Sequence, residues 1–138
     1  MKMDIPGGET DLSKLIAGME AKLHDGEYVF LTFKKKVQLP EEEVIAMVKE
    51  EEGVTYVVSR HFANQSSYPY QFVSSRITLE VHSSLEAVGL TAAFSNALAR
   101  SGISCNVIAG YYHDHIFVDS RQASEAMSAL KKLQKGKK

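Results

Sequence analysis

His113-Asp114-His115 is the most chemically suggestive cluster in the sequence. In an extended segment the two imidazoles share a face and can approach one metal ion. His61 or His82 would have to supply a third ligand. The competing reading is a polar hairpin tip between Tyr112 and Ile116, with Asp114 as its turn residue. We therefore expect no tight metal site and no cofactor. A metal-dependent enzyme using His113 and His115 stays an alternative. Cys105 has no neighbouring cation or helix start to activate its thiol. It shares a strand face with Ile103 and Val107, which predicts a small buried core residue. Ser83-Ser84 lacks the glycines of a nucleophile elbow. No phosphate-binding loop, dinucleotide fingerprint or zinc-protease helix motif occurs. The chemistry that remains is non-covalent. The turn before Ala87 has free helix-start amides and two serine hydroxyls, a seat suited to a carboxylate. Gly89 leaves room for a ligand or a second backbone there. Asn106 can both donate and accept from a largely apolar strand. Serines before a helix also serve as plain caps, and Gly89 could simply ease packing of the helix on the sheet.

These residues need elements to hold them. Ile77, Leu79 and Val81 alternate with Thr78, Glu80 and His82, the pattern of a half-buried strand. Ser83 or Ser84 caps an alanine-rich helix with Leu90, Ala93, Phe94, Ala97 and Leu98 on one side, and Gly102 stops it. Ile103 to Ala109 and His115 to Val118 read as two further strands. Earlier in the chain, Leu12, Leu15, Ile16, Met19 and Leu23 form a helical stripe that ends at Asp25-Gly26. Tyr28 to Lys34 reads as an inner strand. Pro40 and Glu41 to Glu43 open a helix carrying Val44, Ile45 and Val48, closed by Gly53, and Val54 to Val58 is a strand. Ser59 to Ser75 reads as linker, with a short strand allowed at Tyr70 to Val73. A last helix carries Ala123, Ala126, Met127, Leu130 and Leu133.

A shift of 49 residues lays Gly53-Val54-Thr55 on Gly102-Ile103-Ser104, and Val44 and Val48 on Ala93 and Ala97. Two duplicated β-α-β units follow, over residues 1–70 and 71–138. The second lacks a final strand of its own, so the units should complete each other edge to edge, within one chain or across a dimer.

The chain has 138 residues, a net charge of −1 and one cysteine. This balance gives no general attraction to nucleic acid or an anionic membrane, and the aromatic-basic pattern of RNA-binding sheets is missing. No intrachain disulfide can form, which fits a reducing cytoplasm. No apolar run is long enough to span a bilayer, and the start lacks an apolar signal core.

The run from Val81 to Val118 resembles the strand-helix-strand core of ACT domains, small-molecule-sensing regulatory modules. Gly89 stands near the helix start, and Ser101, Gly102, Ile103, Ser104 and Asn106 match the turn that opens the next strand. GGETDLSKLIAGMEAKLHDGEYVF extends the likeness to an uncharacterised family of short bacterial proteins with tandem ACT-like units. Ser83, Ser84 and Leu85 depart from the Asp, Pro and Gly that many ACT domains carry early in this loop. The resemblance implies an α+β fold: two ferredoxin-like (ACT-like) β-α-β units, an antiparallel sheet and helices on one face. It implies a non-catalytic sensor of an amino acid or related metabolite, acting as a homodimer. The expected ligand contacts are Ser83, Ser84, Leu85, Glu86, Val88, Gly89 and Asn106, with a matching turn after Lys36. The alternative from another class is a partner-binding or structural module that uses exposed sheet edges.

Overall fold

The computed structural model describes residues 11–81 and 88–136. Its helices are α1 (Leu12–Ala17), α2 (Arg60–Gln65), α3 (Leu90–Arg100) and α4 (Ala123–Gln134). Its strands are β1 (Glu20–Leu23), β2 (Tyr28–Phe33), β3 (Val44–Lys49), β4 (Val54–Ser59), β5 (Val73–Glu80), β6 (Asn106–Ala109) and β7 (Asp114–Asp119). All pairings are antiparallel, in the order β3-β4-β2-β5-β7-β6. The fold is thus α+β, with two ferredoxin-like halves joined in one sheet. The order is symmetric about the β2/β5 junction: β2, β3 and β4 in the first half correspond to β5, β6 and β7 in the second.

That symmetry corrects the repeat read from the sequence. Val44 and Val48 lie in a strand, whereas Ala93 and Ala97 lie in a helix. Gly53 sits in the β3–β4 hairpin, so its structural counterpart is the β6–β7 hairpin rather than Gly102. The helix expected after Pro40 is a single 3-10 turn, Glu41–Glu43, followed by β3. Three β-branched residues, Val44, Ile45 and Val48, favour the pleated form once β4 offers hydrogen bonds. The first half therefore connects β2 to β3 by a loop where the second has α3.

The first helix is also shorter than its stripe suggests. Asp11 caps it by accepting from the Lys14 N–H at 3.1 Å, and it ends at Gly18. Residues 20–23 instead form β1 beside β5, with Glu20 opposite Glu80 and Leu23 opposite Ile77. This supplies the strand that the second half lacks, from within the chain. β2 meets only the start of β5, Tyr28 opposite Ser74 and Val29 opposite Val73. β1 and β2 thus lie one after the other along a single side of β5.

The stretch read as linker holds α2, whose Ser59 cap accepts from the Phe62 N–H at 3.1 Å, and the start of β5. Two cores result. Leu15, Met19, Ile77, Leu79, Phe94, Leu98, Ile116 and Leu130 pack α1, α3 and α4 onto the second half. Val29, Leu31, Tyr56, Val58 and Ala63 pack α2 onto the first. Tyr28 stands opposite Ser74, so both point away from their own cores and the two cores share one face of the sheet. The other face, helix-free among the described residues, carries Phe30 and Phe117, with ring centres 5.6 Å apart, edge to face.

Candidate functional site

α3 starts at a glycine because the backbone demands one. Gly89 has φ +93° at the N-cap, a left-handed conformation that side chains strain. A β-carbon there would also meet Leu12 Cδ2 at 3.1 Å. α1 therefore closes onto the turn through Leu12. Glycine brings no capping oxygen, and α3 has no side-chain cap bond among the described residues. Its first-turn N–H groups are suited to an anionic ligand atom.

Val88, beside this turn, is 83% exposed. Ser83, Ser84, Leu85 and Glu86 lie outside the described residues. Asn106 opens β6 and spends its amide donor on the Phe117 carbonyl at 3.2 Å. By register it is level with Phe117 and Arg76, whereas Ala109 is the β6 residue level with Asp114 and Leu79, near the end of β5 that leads to the turn. Gly89 and Asn106 are therefore not neighbours in the ladder. The loop after Lys36 leads into the 3-10 turn and β3, so no helix start matches the α3 turn in the first half.

A second constellation stands on the helix-free face. His24 Nε2 lies 2.7 Å from Thr78 Oγ1, and Thr78 Oγ1 lies 2.9 Å from His115 Nδ1. Arg76 Nη2 approaches the same Nδ1 at 3.5 Å. A guanidinium only donates, so Nδ1 of His115 accepts. The Thr78 hydroxyl then donates to His115, and His24 Nε2–H donates to Thr78. Burial holds both imidazoles below the ordinary value, with the Arg76 charge adding to the effect. Arg76 Nε and His113 Nδ1 are buried without a hydrogen-bond partner among the described groups.

This cluster replaces the pairing read from the sequence, in which His115 was set with His113. The turn is Gly110 to His113, where the Gly110 N–H donates to the His113 carbonyl at 2.9 Å, and Asp114 already belongs to β7. Among the described residues no group of three His, Cys, Asp or Glu side chains is placed to hold a metal ion. Alternation with Ile77 and Leu79 signals the shared face of Arg76 and Thr78. Nothing local signals His24, because it arrives through β1. Cys105 is half-buried against the second core, and burial pushes its thiol upward.

One hollow lies on the helical side, between α1, α3 and the end of α4. Its volume is about 670 Å³. No described helix is long and apolar enough to cross a membrane.

Two ACT-domain family models match in tandem, over residues 7–75 and 72–132. The chain belongs to the ACT-domain family, which gives it a regulatory, ligand-sensing role in general terms. It is 45% identical to a Vibrio cholerae protein of unknown function described as a possible transport protein, covering 89% of this chain and 95% of that one at a TM-score of 0.76. An Agrobacterium tumefaciens protein shares the fold at 14% identity, 84% and 89% coverage and a TM-score of 0.67. So does the ligand-free regulatory subunit of aspartate kinase from Thermus thermophilus, at 11% identity, 86% and 97% coverage and a TM-score of 0.59. No curated protein matches.

Proposed function

We propose that the protein is a non-catalytic cytoplasmic sensor that binds an amino acid or related metabolite at the turn entering α3. Units 1–70 and 71–138 form one sensing body, and the working assembly is a homodimer. The observation that carries this reading is the Gly89 turn. It starts an 11-residue helix without a side-chain cap among the described residues. The amides there suit a ligand carboxylate, and Ser83, Ser84, Leu85, Glu86 and Val88 flank it in sequence. Asn106 would then act from a neighbouring protomer or through a shift of β6, since its own ladder position is away from the turn.

The binding energy would act on the arrangement of the two halves, by favouring one of two packings. The test is calorimetric titration with each of the common amino acids, for the parent protein and for Val88→Glu. Val88 is exposed, so the added carboxylate leaves the fold intact while repelling an anion at the turn. Binding to the parent that weakens about tenfold in Val88→Glu, roughly the 1.4 kcal/mol of one charge contact, supports the reading. Absence of binding at millimolar concentration, or equal binding by the variant, shifts preference to the partner-binding module. Exposed Ile45, Met47 and Val48 on the edge strand β3 make that second reading concrete.

A further inference from the structure

The hollow between the helices has a lining of consistent chemistry. Ile16 and Ala17 of α1, Ala93 of α3 and Leu133 of α4 give it apolar walls. Arg100 and Lys135 stand at its border. None of its described lining residues is Asp or Glu. Neither cation has an ion-pair partner among the described residues. The volume of about 670 Å³ falls within the roughly 300–1,000 Å³ of small-molecule sites. The wall formed by α1 is tied in place, because Gln134 Nε2 donates to the Ala17 carbonyl at 3.4 Å.

From these walls and this charge we infer that the groove binds a small amphipathic anion, with an apolar body on Ile16, Ala17, Ala93 and Leu133 and a carboxylate reaching Arg100 or Lys135. The objection is the carboxyl end of α4, whose carbonyls repel an anion. Lys131, Lys132 and Lys135 in its last turn and cap oppose that field. An ammonium ligand would meet two uncompensated cations. A neutral one would leave both without a partner. The sign of the lining therefore selects among the three. This site uses the outer side of α1 and the mid-to-end stretch of α3, and does not rest on ligand binding at the Gly89 turn.

The probe is octanoate, with octylammonium and octanol as charge controls, followed by amide chemical-shift mapping and calorimetry. Octanoate should bind saturably and shift the amides of Ala17, Ala93 and Asn96. Arg100→Glu should weaken it about tenfold, and Ala17→Trp should abolish binding by filling the groove. Arg100 and Ala17 are exposed, and thermal melts would verify that both variants stay folded. Val88→Glu should leave octanoate binding unchanged, which separates this groove from the turn. Octylammonium binding as tightly as octanoate, undiminished binding by Ala17→Trp, or no octanoate binding at millimolar concentration would overturn the assignment. Binding to phosphatidylglycerol vesicles without binding of free octanoate would overturn it in favour of a membrane surface.

Discussion

Two partly buried imidazoles shape the response to mild acid. His24 and His115 are both held below 6.5 in the folded chain. Around them lie Arg76, Lys22 and His113 as cations or potential cations, with Glu80 and Asp25 acting in the opposite sense. A depressed histidine pKa means that the unfolded chain binds more protons in this range. Stability therefore rises with pH through the folded-state values towards 6.5 and is lost as pH falls below 6.5. Urea midpoints for the parent should drop between pH 7.5 and pH 5.5, and His115→Gln should flatten that drop. An unchanged slope in the variant would remove His115 from the account. Gly89 makes a different demand. Gly89→Ala should cost about 1–2 kcal/mol, because its φ of +93° is left-handed; denaturant unfolding measures this directly. The same strain makes a bulky residue at this position a poor probe of ligand binding, since it perturbs the fold as well.

At the level of elements, β1 is the piece on which the second half depends. Ala21 faces Leu79 across the ladder and packs on the second core. Ala21→Asp should destabilise the protein by about 1–3 kcal/mol, because it sets a polar group on a half-buried site against the second core, whereas Lys22→Asp on the opposite, exposed side should change little. Equal effects from the two substitutions would mean that β1 is loosely attached. The second-half elements were legible because Ile77, Leu79, Leu90, Phe94 and Leu98 keep one period each and face one core. β1 was not, because Met19 and Leu23 continue the α1 stripe. Gly18 and the open side of β5, a tertiary feature, decide otherwise. β3 was misread for a related reason. Val44, Ile45 and Val48 suit a helix face as well as an edge strand, and the glutamates at Glu41–Glu43 imitate a helix start. α2 is hidden within a polar stretch, where Ser59 as cap and buried Ala63 are its only local signals. Of the site, a glycine near the start of α3 was legible, but the sequence set the cap at Ser83 or Ser84 because serines are the usual caps. α3 instead starts after Gly89, whose left-handed backbone no periodicity announces. The His24–Thr78–His115 contact was not legible, because it joins β5 and β7 to the residue that follows β1.

The molecule as a whole exposes one sheet edge at β3 and another at β6. Antiparallel self-pairing of β3 about a twofold between Ala46 and Met47 would set Glu43 against Glu50 and Glu42 against Glu51. The β6 edge carries no such opposition. Sedimentation at tens of micromolar, the range of weak interfaces, should therefore show a dimer. Hydrogen exchange should slow with rising concentration at β6 and remain unchanged at β3. A monomer, or concentration-dependent protection at β3, would count against this mode of assembly.

β5 also bears on how such a chain could be taken apart. Its two sides serve both halves, and β1 reaches it from the far end of the sequence. A gene cut in the loop before β5 would yield a leading fragment whose β1 and β2 have lost β5 as partner and a trailing fragment with β5 bare along one side. Neither should accumulate alone. Produced together from two transcripts, they should reassociate into one soluble particle, because the cut leaves every ladder partner in one fragment or the other. Independent solubility of the trailing fragment would show that the second half can manage without β1. Reassociation would make the position a working site for genetic complementation.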